Sequence, residues 1–127
     1  MNSDQTESPH KSKSGLSRVW NALFYSVEGL KEAYRIEHAF RQELLLALLL
    51  IPIALFVPVP GLGRALMIAS VLLMLIVELL NSAVEATVDR VSLDHHRLAK
   101  RAKDIGSAAV LISLLNVIAV WLLVLVG

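Results

Sequence analysis

Apolar residues along this chain follow two patterns, one at helical spacing and one nearly continuous. Leu16, Val19, Trp20, Leu23, Phe24, Val27, Leu30 and Tyr34 recur in steps of three and four. Ser17, Arg18, Asn21, Glu28, Lys31, Glu32 and Arg35 take the other side. The pattern predicts an amphipathic helix over about 16–35, with Ser14 or Ser17 as its N-cap. The continuous pattern follows, with no charge over 44–63, 65–77 and 105–127. A bilayer core needs about 20 residues of helix. The last stretch reaches that length directly, the middle one only by continuing past Glu78 and Glu85, and the first only by starting near His38. Pro58-Val59-Pro60-Gly61 ends the first with a turn signal. The expected fold is all-α, with spans at about 38–57, 64–88 and 104–126. The alternative is two spans and a re-entrant segment.

Composition supports a membrane reading. The 127 residues are 56% hydrophobic and 18% charged, against about 45–50% and 25% in a soluble domain. A core this small cannot hide such an excess. The absence of cysteine removes disulfides, thiolate metal sites and a cysteine nucleophile, and a net charge of +1 argues against a nucleic-acid binder. Lys and Arg are concentrated before the first span and between the second and third, while the first loop holds only Arg64. The positive-inside bias then places the N-terminus in the cytoplasm and the C-terminus outside. Residues 1–15 have the composition of a disordered tail, and 16–127 form the membrane domain. No cleavable signal peptide is expected. Beside a span, the amphipathic helix is expected to lie in the cytoplasmic interface.

The chemistry is concentrated in the second span. At about 100° per residue, Glu78, Glu85 and Asp89 fall within roughly 20° of one line, flanked by Asn81 and Ser82. An ionisable group within the bilayer costs about 2.5–3.5 kcal/mol on insertion scales and marks a functional face by default. Interhelical hydrogen bonding would explain one such residue, but not a stripe of five. Further polar residues stand at the mouth. Glu37 and Glu85 could hold a hard divalent ion, and Arg18, Arg101 and Lys103 could clamp polyphosphate. From the residues alone, each is more often an ordinary positive-inside anchor. His95 and His96 are adjacent and point apart on a helix, so a solvated loop is their default. No P-loop, dinucleotide fingerprint, protein-kinase set, nucleophile elbow or H-E-x-x-H motif occurs.

The run from Val77 to Arg90, V-E-L-L-N-S-A-V-E-A-T-V-D-R, resembles the signature of the prokaryotic diacylglycerol kinases. Ala102-Lys103-Asp104-Ile105-Gly106-Ser107-Ala108-Ala109-Val110 is similar to the family's second block. Glu37-His38-Ala39-Phe40-Arg41-Gln42-Glu43 resembles the segment before its first span. With Arg18 and Tyr25, the likeness extends from Leu16 onward. It implies a homotrimer with active sites shared between subunits, in the bacterial inner membrane. It also implies phosphoryl transfer from MgATP to diacylglycerol. Under that resemblance Glu78 is the general base, with Asn81 beside it, and Glu37 and Glu85 bind Mg²⁺. Arg18, Tyr25, His96, Lys103 and Asp104 meet ATP together with Glu37 and Glu85. Arg18, Gln42, Glu43, Ser107 and Trp121 line the lipid side with Glu78. The Asp94-His95-His96 loop departs most from the family, and only His96 is carried over there. An undecaprenol kinase of the same family is the alternative activity. A small ion-coupled transporter carrying its ion on Glu78 is the alternative from another class.

Overall fold

A computed structural model describes residues 14–91 and 96–127. The expected tail lies outside the described residues up to position 13, as do Asp94 and His95. Four helices follow one another: α1 (Ser14–Ile36), α2 (His38–Phe56), α3 (Gly61–Val91) and α4 (His96–Val126). The described residues contain no strand. Helix α1 belongs to one compact unit and residues 37–127 form another.

Within α1 the polar side is laced by i,i+3 ion pairs, Glu28 with Lys31 at 3.8 Å and Glu32 with Arg35 at 2.8 Å. Phe24 and Tyr25 meet edge to face at 6.0 Å. The apolar stripe from Leu16 to Tyr34 is exposed, as a helix lying on a lipid surface requires. Ser17 lies inside the helix rather than at its cap, because the helical hydrogen bonding starts upstream, at Ser14.

In the second unit α3 packs against both α2 and α4. The core is small, formed by Ala47, Val71, Met74 and Val117 with Leu50, Ile51, Leu75, Leu114 and Trp121 around it. Large residues on the outer faces, among them Leu45, Leu48, Leu49, Leu111, Ile112, Leu122 and Leu123, are exposed. Three helices are long and apolar enough to cross a membrane. Pro52 removes one backbone donor, yet α2 continues to Phe56 as a single helix. Among the described residues the structure therefore contains three helices of spanning length and apolarity, as the first of the two expectations had it. Helix α4 begins at His96, ahead of the expected start near residue 104, and α3 runs beyond 64–88 at both ends. Charge ends an apolar slab without ending a helix. Here the first turns of α4 gain an i,i+4 pair between Lys100 and Asp104 at 2.6 Å.

The turn between α2 and α3 is closed by Arg64. The Ala54 carbonyl would be capped by the amide of residue 58, but that residue is a proline without N–H. Arg64 Nη1 donates instead to the carbonyls of Ala54 (2.6 Å), Leu55 (2.8 Å) and Val57 (3.1 Å). Its Nη2 donates to Val59 O at 3.1 Å. Trp121 Nε1 donates across to Met67 O at 3.2 Å, tying α4 to α3 near this end. At the opposite end Lys103 Nζ meets Asp89 Oδ1 at 2.7 Å. Those two contacts fix the register of the antiparallel α3–α4 pair.

Candidate functional site

The second unit holds a cleft of about 260 Å³ lined by Glu37, Ala39, Glu78, Asn81, Glu85, Ser107 and Val110. Three separate stretches of sequence converge there. Glu37 occupies the extended residue that opens α2, and its carbonyl accepts Arg41 N at 3.2 Å. Glu78, Asn81 and Glu85 project from α3 at positions i, i+3 and i+7, which share a face. Ser107 and Val110 come from α4. Ala39 and Val110 complete the wall but carry no chemistry by which sequence reasoning could have chosen them.

The polar groups of the cleft are deeply placed. Glu78 is 4% exposed and Asn81 9%, while Glu37 and Glu85 are half-buried. Ser82 Oγ donates to Glu78 Oε2 at 3.5 Å, and Asn81 Nδ2 donates to Glu85 Oε2 at 3.4 Å. Glu43 on α2 is also buried. Glu43 Oε1 and Asn81 Oδ1 remain buried without a partner.

These donors suit a hard cation. Carboxylate and amide oxygens are the ligands preferred by Mg²⁺, which usually keeps waters and takes only one or two carboxylates beside substrate phosphates. Among the described residues no three acidic or imidazole groups converge tightly enough to hold an ion.

The other expected site residues fall in several places. Ser107 stands in the cleft wall and Glu43 is buried on α2, whereas Gln42 is exposed. Lys103 lies at the α3–α4 seam, held by Asp89, and Asp104 is held by Lys100. Arg101 lines a different hollow of about 320 Å³ with Arg97, Lys100, Asp104, Ile105 and Ala108. Trp121 is not brought to the cleft. Its partner Met67 stands three turns from Glu78, about 16 Å along the axis. Arg18 and Tyr25 are exposed on α1, seven residues apart and so on one face of it. His96 opens α4, and its side chain lies outside the described residues. Sequence reasoning missed the binding of Lys103 by Asp89, although Asp89 already stood on the acidic stripe.

Comparison with known proteins agrees with this geometry. Residues 24–125 match the family model described as prokaryotic diacylglycerol kinase. The chain is 54% identical over 120 residues to a diacylglycerol kinase of Pseudomonas aeruginosa, covering 94% of this chain and 98% of that one. It is 47% identical over 111 residues to the diacylglycerol kinase of Escherichia coli K12, covering 87% and 91%. A Helicobacter pylori diacylglycerol kinase is 44% identical over 115 residues, covering 91% and 89%. The buried carboxylates, the cleft between three helices and the matched sequence blocks thus belong together: the chain is a member of the prokaryotic diacylglycerol kinase family.

Proposed function

We propose that this protein transfers the γ-phosphoryl group of ATP to the primary hydroxyl of diacylglycerol, giving phosphatidic acid and ADP. The observation that carries this reading is a carboxylate, Glu78, buried at the base of a cleft that an acidic pair lines from two helices. Phosphoryl transfer demands positioning and charge neutralisation more than covalent chemistry. The lipid oxygen forms a bond to Pγ as the bond from Pγ to the β,γ-bridging oxygen breaks. The hydroxyl proton passes to the Glu78 carboxylate, whose orientation Ser82 supports from one turn away. Glu37 and Glu85 would hold Mg²⁺, with Asn81 fixing Glu85. When bound, the ion neutralises charge on the ATP phosphates.

Lys103 and Asp104, with His96, Arg18 and Tyr25, are assigned to the nucleotide. Glu43, Gln42, Ser107 and Arg18 are assigned to the lipid headgroup side. Trp121, deeper along the helices, fits the acyl chains. Diacylglycerol suits this layout because its hydroxyl can sit at headgroup level while its chains remain in the bilayer. The cleft is open on one side and the outer helix faces are apolar, which supports a homotrimer whose subunits complete each other's sites. Placement in the bacterial inner membrane follows from the family, and the charge distribution supports a cytoplasmic N-terminus and an outside C-terminus.

The test is purified protein in mixed micelles with Mg²⁺ and radiolabelled ATP, offered diacylglycerol or undecaprenol. Labelled phosphatidic acid should dominate. Preferential labelling of the polyprenol would reassign the substrate. Ion flux without lipid-dependent ATP consumption would replace the kinase reading with a transporter.

A further inference from the structure

Helices α3 and α4 meet closely at Gly106. A Cβ added there would fall on Asn81 Oδ1 and lie 3.2 Å from Asn81 Cγ. The amide of Asn81 is therefore seated against bare backbone where any other residue would place a side chain. Its oxygen is buried and unpartnered, while its nitrogen reaches Glu85 Oε2 at 3.4 Å. Both ends of the amide are thus determined by position: the oxygen by the absence of a Cβ, the nitrogen by the carboxylate. Asn81 has little room elsewhere, being 9% exposed between two packed helices.

We infer that Gly106 is a positioning residue for phosphoryl transfer, acting through Asn81 to hold Glu85 at the cleft. This rests on the kinase reading for its catalytic consequence, but the structural coupling it asserts does not. A methyl group at residue 106 cannot be absorbed by a flexible side-chain end, because the group it meets is the short amide itself. The amide must rotate away or the helices must separate. Rotation breaks the bond from Nδ2 to Glu85 and leaves that carboxylate free to swing.

Other glycines make the comparison specific. Additions at Gly15, Gly29 and Gly61 meet nothing within 4 Å. An addition at Gly63 meets Val124 Cγ1 at 2.8 Å, also between α3 and α4 but far from the cleft. Gly63→Ala therefore perturbs the same helix pair without touching a polar group of the site, and serves as the control for packing alone.

The experiment is a double-mutant cycle on the full chain in detergent, with wild type, Gly106→Ala, Asn81→Ala and the double variant. Two readouts are taken, the thermal unfolding midpoint and the Mg²⁺ dependence of lipid phosphorylation. If Gly106 acts through Asn81, Gly106→Ala lowers the midpoint in wild type and does so at least about threefold less in the Asn81→Ala background. Gly106→Ala also raises the Mg²⁺ concentration for half-maximal turnover by about 10-fold or more, the range for loss of a group that orients a metal ligand. The diacylglycerol KM stays within about twofold on the same reasoning. Gly63→Ala lowers the midpoint and leaves the Mg²⁺ dependence unchanged. Should Gly106→Ala fail to fold, recovery of folded protein in the double variant carries the same meaning. Equal midpoint losses in both backgrounds, or no recovery in the double variant, would overturn the inference. So would an unchanged Mg²⁺ dependence in folded Gly106→Ala. A wild type without kinase activity would refute the functional reading alone, since the thermal cycle still reports whether Gly106 and Asn81 are coupled.

Discussion

Replacing Arg64 by alanine removes the donor set that closes the α2–α3 turn. Four carbonyls then lose a bond from Arg64, those of Ala54, Leu55, Val57 and Val59, at 2.6–3.1 Å in the intact protein, and Val57 O alone keeps a backbone donor, Val59 N at 3.0 Å. Hydrogen bonds from a charged donor contribute about 1.5–3 kcal/mol each where water cannot substitute. Ala54 is fully buried, so its carbonyl bears most of that loss, whereas Leu55 is 52% exposed and its carbonyl can turn to water. The half-buried Val57 and Val59 fall between. The expected destabilisation is about 2–4 kcal/mol for Arg64→Ala, and the proline at 58 prevents the backbone from capping the Ala54 carbonyl instead. Arg64→Lys should recover less than half, because an ammonium lacks the planar fork that reaches several oxygens at once. The assay is reversible unfolding in mixed micelles titrated with a denaturing detergent, followed by tryptophan fluorescence. Folded Arg64→Ala should retain lipid phosphorylation per molecule, since Arg64 lies at the end of the bundle away from Glu78. Stability of Arg64→Ala within about 0.5 kcal/mol of wild type, the range of an ordinary surface change, would refute the reasoning.

Two further outcomes follow from the site and its scaffold. Glu85→Gln should keep the unfolding midpoint near wild type but raise the Mg²⁺ required for half-maximal turnover by about 10–100-fold, because it removes one of two carboxylates assigned to the ion. An unchanged Mg²⁺ titration would dismiss that assignment. Trp121→Phe removes the donor to Met67 O while keeping the ring. It should lower stability by about 0.5–1.5 kcal/mol in the same unfolding assay, with the ATP KM unaffected.

Much of this architecture is legible from periodicity. The three-and-four spacing of α1 and the charge-free stretches are physical consequences of the surfaces those helices face. Likewise, seven residues make almost two turns, so Glu78 and Glu85 share a face whatever packs against them. Positions set by contacts between helices are less legible. Asn81 and Gly106 lie on different helices, α3 and α4, and nothing in either sequence block reveals that their atoms meet. Arg64 is the lone basic residue of its loop and reads as a weak topology signal. Only the turn's geometry makes it a cap for the carbonyls at the end of α2. The first turns of α4 were obscured by their charge. Once residues 96–103 are helical, Arg101 and Lys103 stand about 200° apart, so they cannot both serve one cleft from one chain. Lys103 accordingly meets Asp89 on α3, while Arg101 lines the separate hollow.

The central claim, that buried Glu78 is the base in lipid phosphorylation, is tested most directly by the turnover of Glu78→Gln. The measurement is initial-rate phosphatidic acid formation at saturating MgATP and diacylglycerol, beside wild type of equal folded fraction. Glutamine keeps the shape and can accept a hydrogen bond from Ser82, but it cannot take the hydroxyl proton. The account predicts a fall in kcat of at least about 10²-fold with little change in unfolding midpoint. A kcat within a few-fold of wild type would contradict it.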